Sequence, residues 1–371
     1  MIPVLPPTEE NLRRAADELA AGRLVSFPTE TVYGLGAHAF DPIALSRIFE
    51  AKRRPFFDPL IIHIADRASL AALSPVGGSA GKGKGGKDSR AEKLMDRFWP
   101  GPLTLVLPKT AAVPDLATSG LPTVAVRMPS HPVALALIRK AGFPLAAPSA
   151  NPFGRLSPTA AVHVQDQFQD GIALILDGGP CAVGVESTIL SLSGETPMLL
   201  RAGGVPREDI EALIGPVGIS TMDPEHPDRP LAPGQLPGHY APRTRLRLLQ
   251  QPITRNAAGL PIAGSAGSGL GIAAALQKSG MRLGWLGFKG ALPSRPSQPA
   301  TSAAPALFAA AEILSPSGDL REAAARLFAC LHRLDRQGLD LILAEPLPEA
   351  GLGVAIMDRL RKAAAGSAEG L

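Results

Sequence analysis

Leu12, Ala15, Ala16 and Leu19 recur at helical spacing behind Thr8, which predicts a capped helix over residues 8–21. An apolar run at 24–27 reads as a strand and feeds a hydroxyl-rich turn that ends in Gly34 and Gly36. Asp41-Pro42 opens a second helix, with Leu45, Ile48 and Phe49 turned inward and Lys52 at its end. Further strands are predicted at 60–64, 103–107, 123–127, 145–147, 172–176, 188–192 and 198–201, with helices at 91–98, 132–141 and 159–168. This mixture predicts an α/β (α+β) domain over residues 1–218, built on a twisted mixed sheet. The pattern does not fix strand order.

Two stretches break the pattern. Gly, Lys and Ser crowd residues 77–90, which predicts a flexible, exposed insertion; the spacing of a phosphate-binding loop is absent. Residues 219–243 are rich in Pro, Gly and His and read as a connector. Beyond it, residues 244–371 predict strands at 246–249, 282–288 and 339–344 and helices at 319–337 and 353–364, a small Rossmann-like α/β unit. No dinucleotide fingerprint occurs there, so no bound organic cofactor is assigned.

Composition narrows the classes. The chain has 371 residues, 45% of them hydrophobic, enough for two packed domains, and no apolar run reaches bilayer-spanning length. The N-terminus lacks the pattern of a secretory signal, and two distant cysteines, Cys181 and Cys330, fit a reducing cytoplasm. Net charge is +4, but residues 1–218 carry 21 basic and 21 acidic side chains, so the whole excess lies beyond them. That balance, with 4% aromatics, argues against a broad nucleic-acid surface and leaves only weak RNA binding open.

Candidate chemistry gathers in the first domain. Thr29, Thr31 and Tyr33 offer neutral hydrogen-bonding groups, and Gly34 and Gly36 allow a ligand close to the backbone. Lys52, Arg53 and Arg54 supply charge for an anion, although a solvated helix end would explain Lys52 by itself. His63 sits mid-strand, where a half-buried structural histidine is the plain alternative; no histidine pair has zinc spacing. Arg127 ends a strand and can fork a carboxylate. Ser149 and Asn151 follow a strand's end, Ser157 and Thr159 can cap a helix, and Arg201 can face phosphate or make a surface ion pair. Ser187 lacks a nucleophile elbow, and Cys181 reads as a buried small residue. The segments Ser26–Gly36, Lys52–Arg54 and Leu60–His63 together suggest a pocket for a small polar molecule beside a phosphate.

These segments, followed in order by Phe98-Trp-Pro-Gly-Pro, Thr123–Pro129, Ala147-Pro-Ser-Ala-Asn151, Gly184–Ile189, Leu199–Gly203 and His239-Tyr-Ala-Pro242, resemble the threonylcarbamoyl-AMP synthase family in its long, two-domain form. The resemblance implies a YrdC-like first domain and synthesis of L-threonylcarbamoyladenylate from L-threonine, bicarbonate and ATP, with pyrophosphate released. Mg2+ would arrive with ATP, without a dedicated protein metal site. It implies Lys52 and Arg54 as catalytic and ATP-binding residues, with Asp58, Thr123, Ser149, Asn151, Ser157, Arg201 and Tyr240 also on ATP. Thr31, His63, Arg127, Ala147 and Ser187 would hold L-threonine, and the connector would fold over the active site. The product would pass to a partner transferase that modifies adenosine 37 of tRNA. Two alternatives stand beside it: a carbamoyl-adenylating YrdC-like enzyme, and a non-catalytic module binding double-stranded RNA or tRNA.

Overall fold

The computed structural model describes residues 2–77, 89–220, 230–235, 238–253, 269–290 and 307–366. Most of the glycine-lysine insertion and parts of the connector fall outside the described residues. The chain forms two compact units, Met1–Phe153 with Ser157–Leu236, and Gly154–Leu156 with Pro237–Leu371.

The first unit carries β1 (Val4–Leu5), β2 (Val25–Pro28), β3 (Tyr33–His38), β4 (Ile61–His63), β5 (Leu103–Pro108), β6 (Thr123–Arg127), β7 (Leu145–Ala146), β8 (Leu174–Leu176), β9 (Thr188–Ser191), β10 (Met198–Arg201) and β11 (Gly218–Ile219). Among the described residues they form one mixed sheet in the order β1-β8-β2-β3-β7-β4-β6-β5-β9-β10-β11. Helices begin where local chemistry satisfies their first amide groups. Thr8 Oγ1 accepts from Asn11 N ahead of Glu9–Ala20, and Asp41 accepts from Ile43 N ahead of Pro42–Lys52.

Alternation along the strands divides the sheet's two faces. Leu35, Ile62, Leu105, Leu107, Val124, Val126 and Leu190 point into one large core. The other face holds two smaller apolar patches. Val25, Phe27, Leu145 and Leu174 pack under Leu12 and Leu19 of the helix Glu9–Ala20 and Leu137 of the helix Pro132–Ala141. Ile61, Val106, Ala125, Ile189 and Leu200 form the second patch with Ala232. His63, Thr104 and Arg127 share this face by strand register, so the polar groups stand beside apolar walls.

The hairpin of β2 and β3 revises one expectation. The turn ending in two glycines is instead the strand Tyr33–His38, paired antiparallel with β2. A Cβ on Gly36 would lie 2.7 Å from the Phe27 ring, so this glycine admits a neighbouring side chain rather than a ligand.

The second unit holds β12 (Arg245–Leu248), β13 (Leu283–Gly287), β14 (Ala310–Ile313) and β15 (Leu341–Ala344) in one parallel sheet ordered β12-β15-β13-β14. Helices Gly269–Lys278, Leu320–Asp335 and Leu352–Gly366 accompany it, and Leu249, Trp285, Ile313 and Leu343 share its core. Parallel strands need covered faces, which agrees with an α/β unit of Rossmann-like type.

Candidate active site

The helix Pro42–Lys52 closes with Arg53 in the left-handed region at φ 51°, which turns the chain so that Lys52 and Arg54 both enter the interior. Lys52 is 1% exposed and Arg54 7% exposed, which overturns the reading of a solvated helix end. Lys52 Nζ donates to Ser149 O at 2.6 Å and to Asn151 O. An ammonium has three donors, so one N–H has no protein acceptor among the described residues. Burial, with Arg54 nearby, pushes the Lys52 pKa well below its usual value, and Asp58 opposes that shift.

Asp58 is fully buried and pairs with Arg54 Nη2 at 2.9 Å, while Arg54 also donates to the carbonyls of Asp58 and Pro59. Burial raises the Asp58 pKa against the pull of Arg54, Lys52 and Arg201. Three basic side chains therefore bear on one buried carboxylate, which is ion-paired with Arg54.

A second group lies on β4, β5 and β6. Register sets His63 and Thr104 opposite Arg127 on either side. Arg127 Nη1 donates to Thr31 Oγ1 at 2.9 Å, Nε to Gly101 O at 3.2 Å, and Nη2 stands 2.6 Å from Glu30 Oε1. Thr31 Oγ1 meets Thr29 Oγ1 at 2.8 Å, so the expected hydroxyl corner exists. Tyr33 does not join it: its hydroxyl donates to Gly179 O at 2.8 Å. His63 is 3% exposed, and burial beside Arg127 lowers its pKa to about 3. The imidazole is neutral at working pH, and its Nδ1 lies 3.2 Å from Ile61 O.

Ser187 joins the two groups. Its Oγ lies 2.7 Å from Thr104 Oγ1, and its carbonyl accepts from Arg201 Nη2 at 2.9 Å and Nε at 3.1 Å. Arg201 also donates to Pro233 O at 3.1 Å, so it is an interior residue and not half of a surface ion pair. Gly203 makes this arrangement possible, since a Cβ there would lie 2.3 Å from Glu186 O.

The remaining expected residues divide. Ser149 and Asn151 lie beside Lys52, and Ala147 lies against Gly34, 3.3 Å from the position a Cβ would take. Thr123 starts β6, half-buried, two pleats from Arg127 on the same face. Ser157 Oγ donates to Glu186 Oε1 at 2.5 Å and caps no helix; the following helix starts at Ala161 without a side-chain cap. Tyr240 belongs to the second unit, where its ring packs 5.7 Å from that of Phe328 and under the Arg359 guanidinium at 5.3 Å. Sequence reasoning missed Glu30, whose partner lies far along the chain.

Among the described residues no group of three or more His, Cys, Asp or Glu could hold a metal ion. Glu30, Asp58 and Glu186 instead face Arg127, Arg54 and Ser157. No helix among the described residues is long and apolar enough to cross a membrane.

Comparison with known proteins adds independent findings. A family model described as "Telomere recombination" matches residues 17–203, and one described as "Threonylcarbamoyl-AMP synthase, C-terminal domain" matches residues 205–365. The threonylcarbamoyl-AMP synthase of Pyrococcus abyssi is 42% identical, over 96% of this chain and 94% of its own length. The enzyme of the same name from Bacillus subtilis is 41% identical over 98% of this chain and 95% of its own. The crystal structure of P. abyssi Sua5 complexed with L-threonine superposes with a TM-score of 0.82 at 40% identity, covering 99% of this chain and 98% of that one.

Proposed function

The chain belongs to the threonylcarbamoyl-AMP synthase family, and from that premise we propose that it joins L-threonine, bicarbonate and ATP into L-threonylcarbamoyladenylate. It is an enzyme of the nucleotidyltransferase type. One observation carries the reading: Ser187 accepts from Arg201, which bears on buried Asp58 together with Lys52 and Arg54, and meets Thr104 of the hydroxyl-bearing corner around Arg127.

In the proposed reaction the amine of threonine and bicarbonate condense to a carbamate with loss of water. A carbamate oxygen attacks the α-phosphorus of ATP, the bond to the β-phosphate bridge breaks, and pyrophosphate leaves. Such chemistry needs alignment and neutralised phosphate charge more than a covalent protein nucleophile. Lys52, Arg54 and Arg201 meet that need. An arriving triphosphate would bring negative charge beside Lys52, oppose the downward push that burial gives its pKa, and take its third N–H. Mg2+ enters as part of the nucleotide substrate.

Arg127 would fork the threonine carboxylate, with Thr31 and Ser187 supplying hydroxyls and His63 an uncharged imidazole. Ala147 would line this corner with its backbone, and Thr123, Ser149, Asn151 and Ser157 would border the nucleotide. A relative crystallised with L-threonine supports the choice of amino acid. Downstream, a transferase would move the threonylcarbamoyl group to adenosine 37 of tRNA. A cytoplasmic location fits two free, buried cysteines.

The test is pyrophosphate release from ATP with each substrate omitted in turn. Release should require threonine and bicarbonate together; turnover indifferent to threonine would overturn the proposal.

A further inference from the structure

Glu30 has no part in the reaction as drawn, yet it is 7% exposed and stands 2.6 Å from the guanidinium of Arg127. Its other oxygen accepts from Ser130 N at 3.1 Å, and its carbonyl accepts from Val183 N at 2.7 Å, so both ends are fixed. We infer that Glu30 is the positioning residue of the amino-acid subsite, acting through Arg127; this rests on Arg127 as the receiver of the substrate carboxylate.

The donor count gives the reason. Of the five N–H groups of a guanidinium, Nε is directed to Gly101 O, one on Nη1 to Thr31 Oγ1, and Nη2 lies against Glu30. Glu30 Oε1 and Arg127 Nη2 touch without an aligned hydrogen bond, so the pair retains donor capacity for a third group. Three anchors on different sides set the plane of the fork, and its remaining edge can meet a carboxylate in a bidentate manner. The carboxylate of Glu30 also balances Arg127 while no substrate is bound, and a zwitterionic amino acid then adds no net buried charge. Gly101 and Thr31 alone are neutral and would hold the guanidinium less firmly.

The test compares Glu30→Gln, close in shape but neutral, with the full-length enzyme in the pyrophosphate assay. Threonine KM should rise about tenfold while ATP KM and kcat stay within about twofold. In an Arg127→Lys background, Glu30→Gln should add less than about twofold, because the effect travels through the guanidinium. Equal shifts in both KM values, or the same rise without Arg127, would overturn the assignment. Should Glu30→Gln fail to fold, Glu30→Asp takes the same measurement, with a threonine-specific rise again expected and a uniform loss again contrary. Threonine-independent turnover in the unaltered enzyme would instead sink the function on which the inference rests.

Discussion

Replacing His63 by Gln should flatten the acid side of the stability profile. His63 is buried, with its pKa lowered from 6.5 to about 3, chiefly by lost solvation and secondarily by Arg127. The folded state therefore refuses a proton that the unfolded chain accepts near pH 6.5. The sign follows: this contribution is fully present above the unfolded pKa and declines as pH falls toward the folded one. At 1.36 kcal/mol per pH unit, lowering the pH from about 8 to about 5 should cost the wild type about 2 kcal/mol through this residue. Glutamine carries no proton in that range and should show no such loss. Urea unfolding at several pH values measures it, read through Trp99, which is 6% exposed in the first unit, with Trp285→Phe in both proteins to silence the second unit. His38 and His131 also have lowered pKa values, so the quantity to compare is the difference between the two proteins. Parallel profiles with and without His63 would refute the reasoning.

Three further substitutions probe the rest of the site. Lys52→Ala should lower turnover by about a hundredfold or more with the fold retained, seen in steady-state rates beside circular dichroism. Arg54→Ala should lose turnover similarly and also destabilise by about 3 kcal/mol, since Asp58 is left buried without its partner. Gly203→Ala should cost about 1–3 kcal/mol and raise ATP KM, because its Cβ meets the backbone that holds Arg201; unchanged calorimetry would contradict this.

Much of the fold was legible because local patterns agreed with the tertiary structure. The helix Pro132–Ala141 and the strands Thr123–Arg127 and Met198–Arg201 appear where periodicity places them. The strand Tyr33–His38 was hidden because glycines at 34 and 36 weaken strand patterning, and pairing with β2 decides the matter. The strand Ala310–Ile313 was missed as well, lying half-buried at a sheet edge without clear alternation.

The identities of the site's cations were readable from motif order, but their burial was not. Whether a basic helix end is solvated depends on what covers it, and here the carbonyls of Ser149 and Asn151 arrive from a distant strand end. The same limit hid Glu30 behind Arg127 and turned Ser157 from a helix cap into a partner of Glu186. Hydroxyl groups were hardest to place, since Tyr33 and Thr31 are two residues apart yet bond on different sides of the hairpin.

A crystal structure of the enzyme with L-threonine and a non-hydrolysable ATP analogue would test the central claim most directly. It should show the amino-acid carboxylate on Arg127 and the α-phosphate among Lys52, Arg54 and Arg201, close enough for a bridging carbamate. Ligands bound on separate surfaces, or a triphosphate that avoids Lys52, would contradict it.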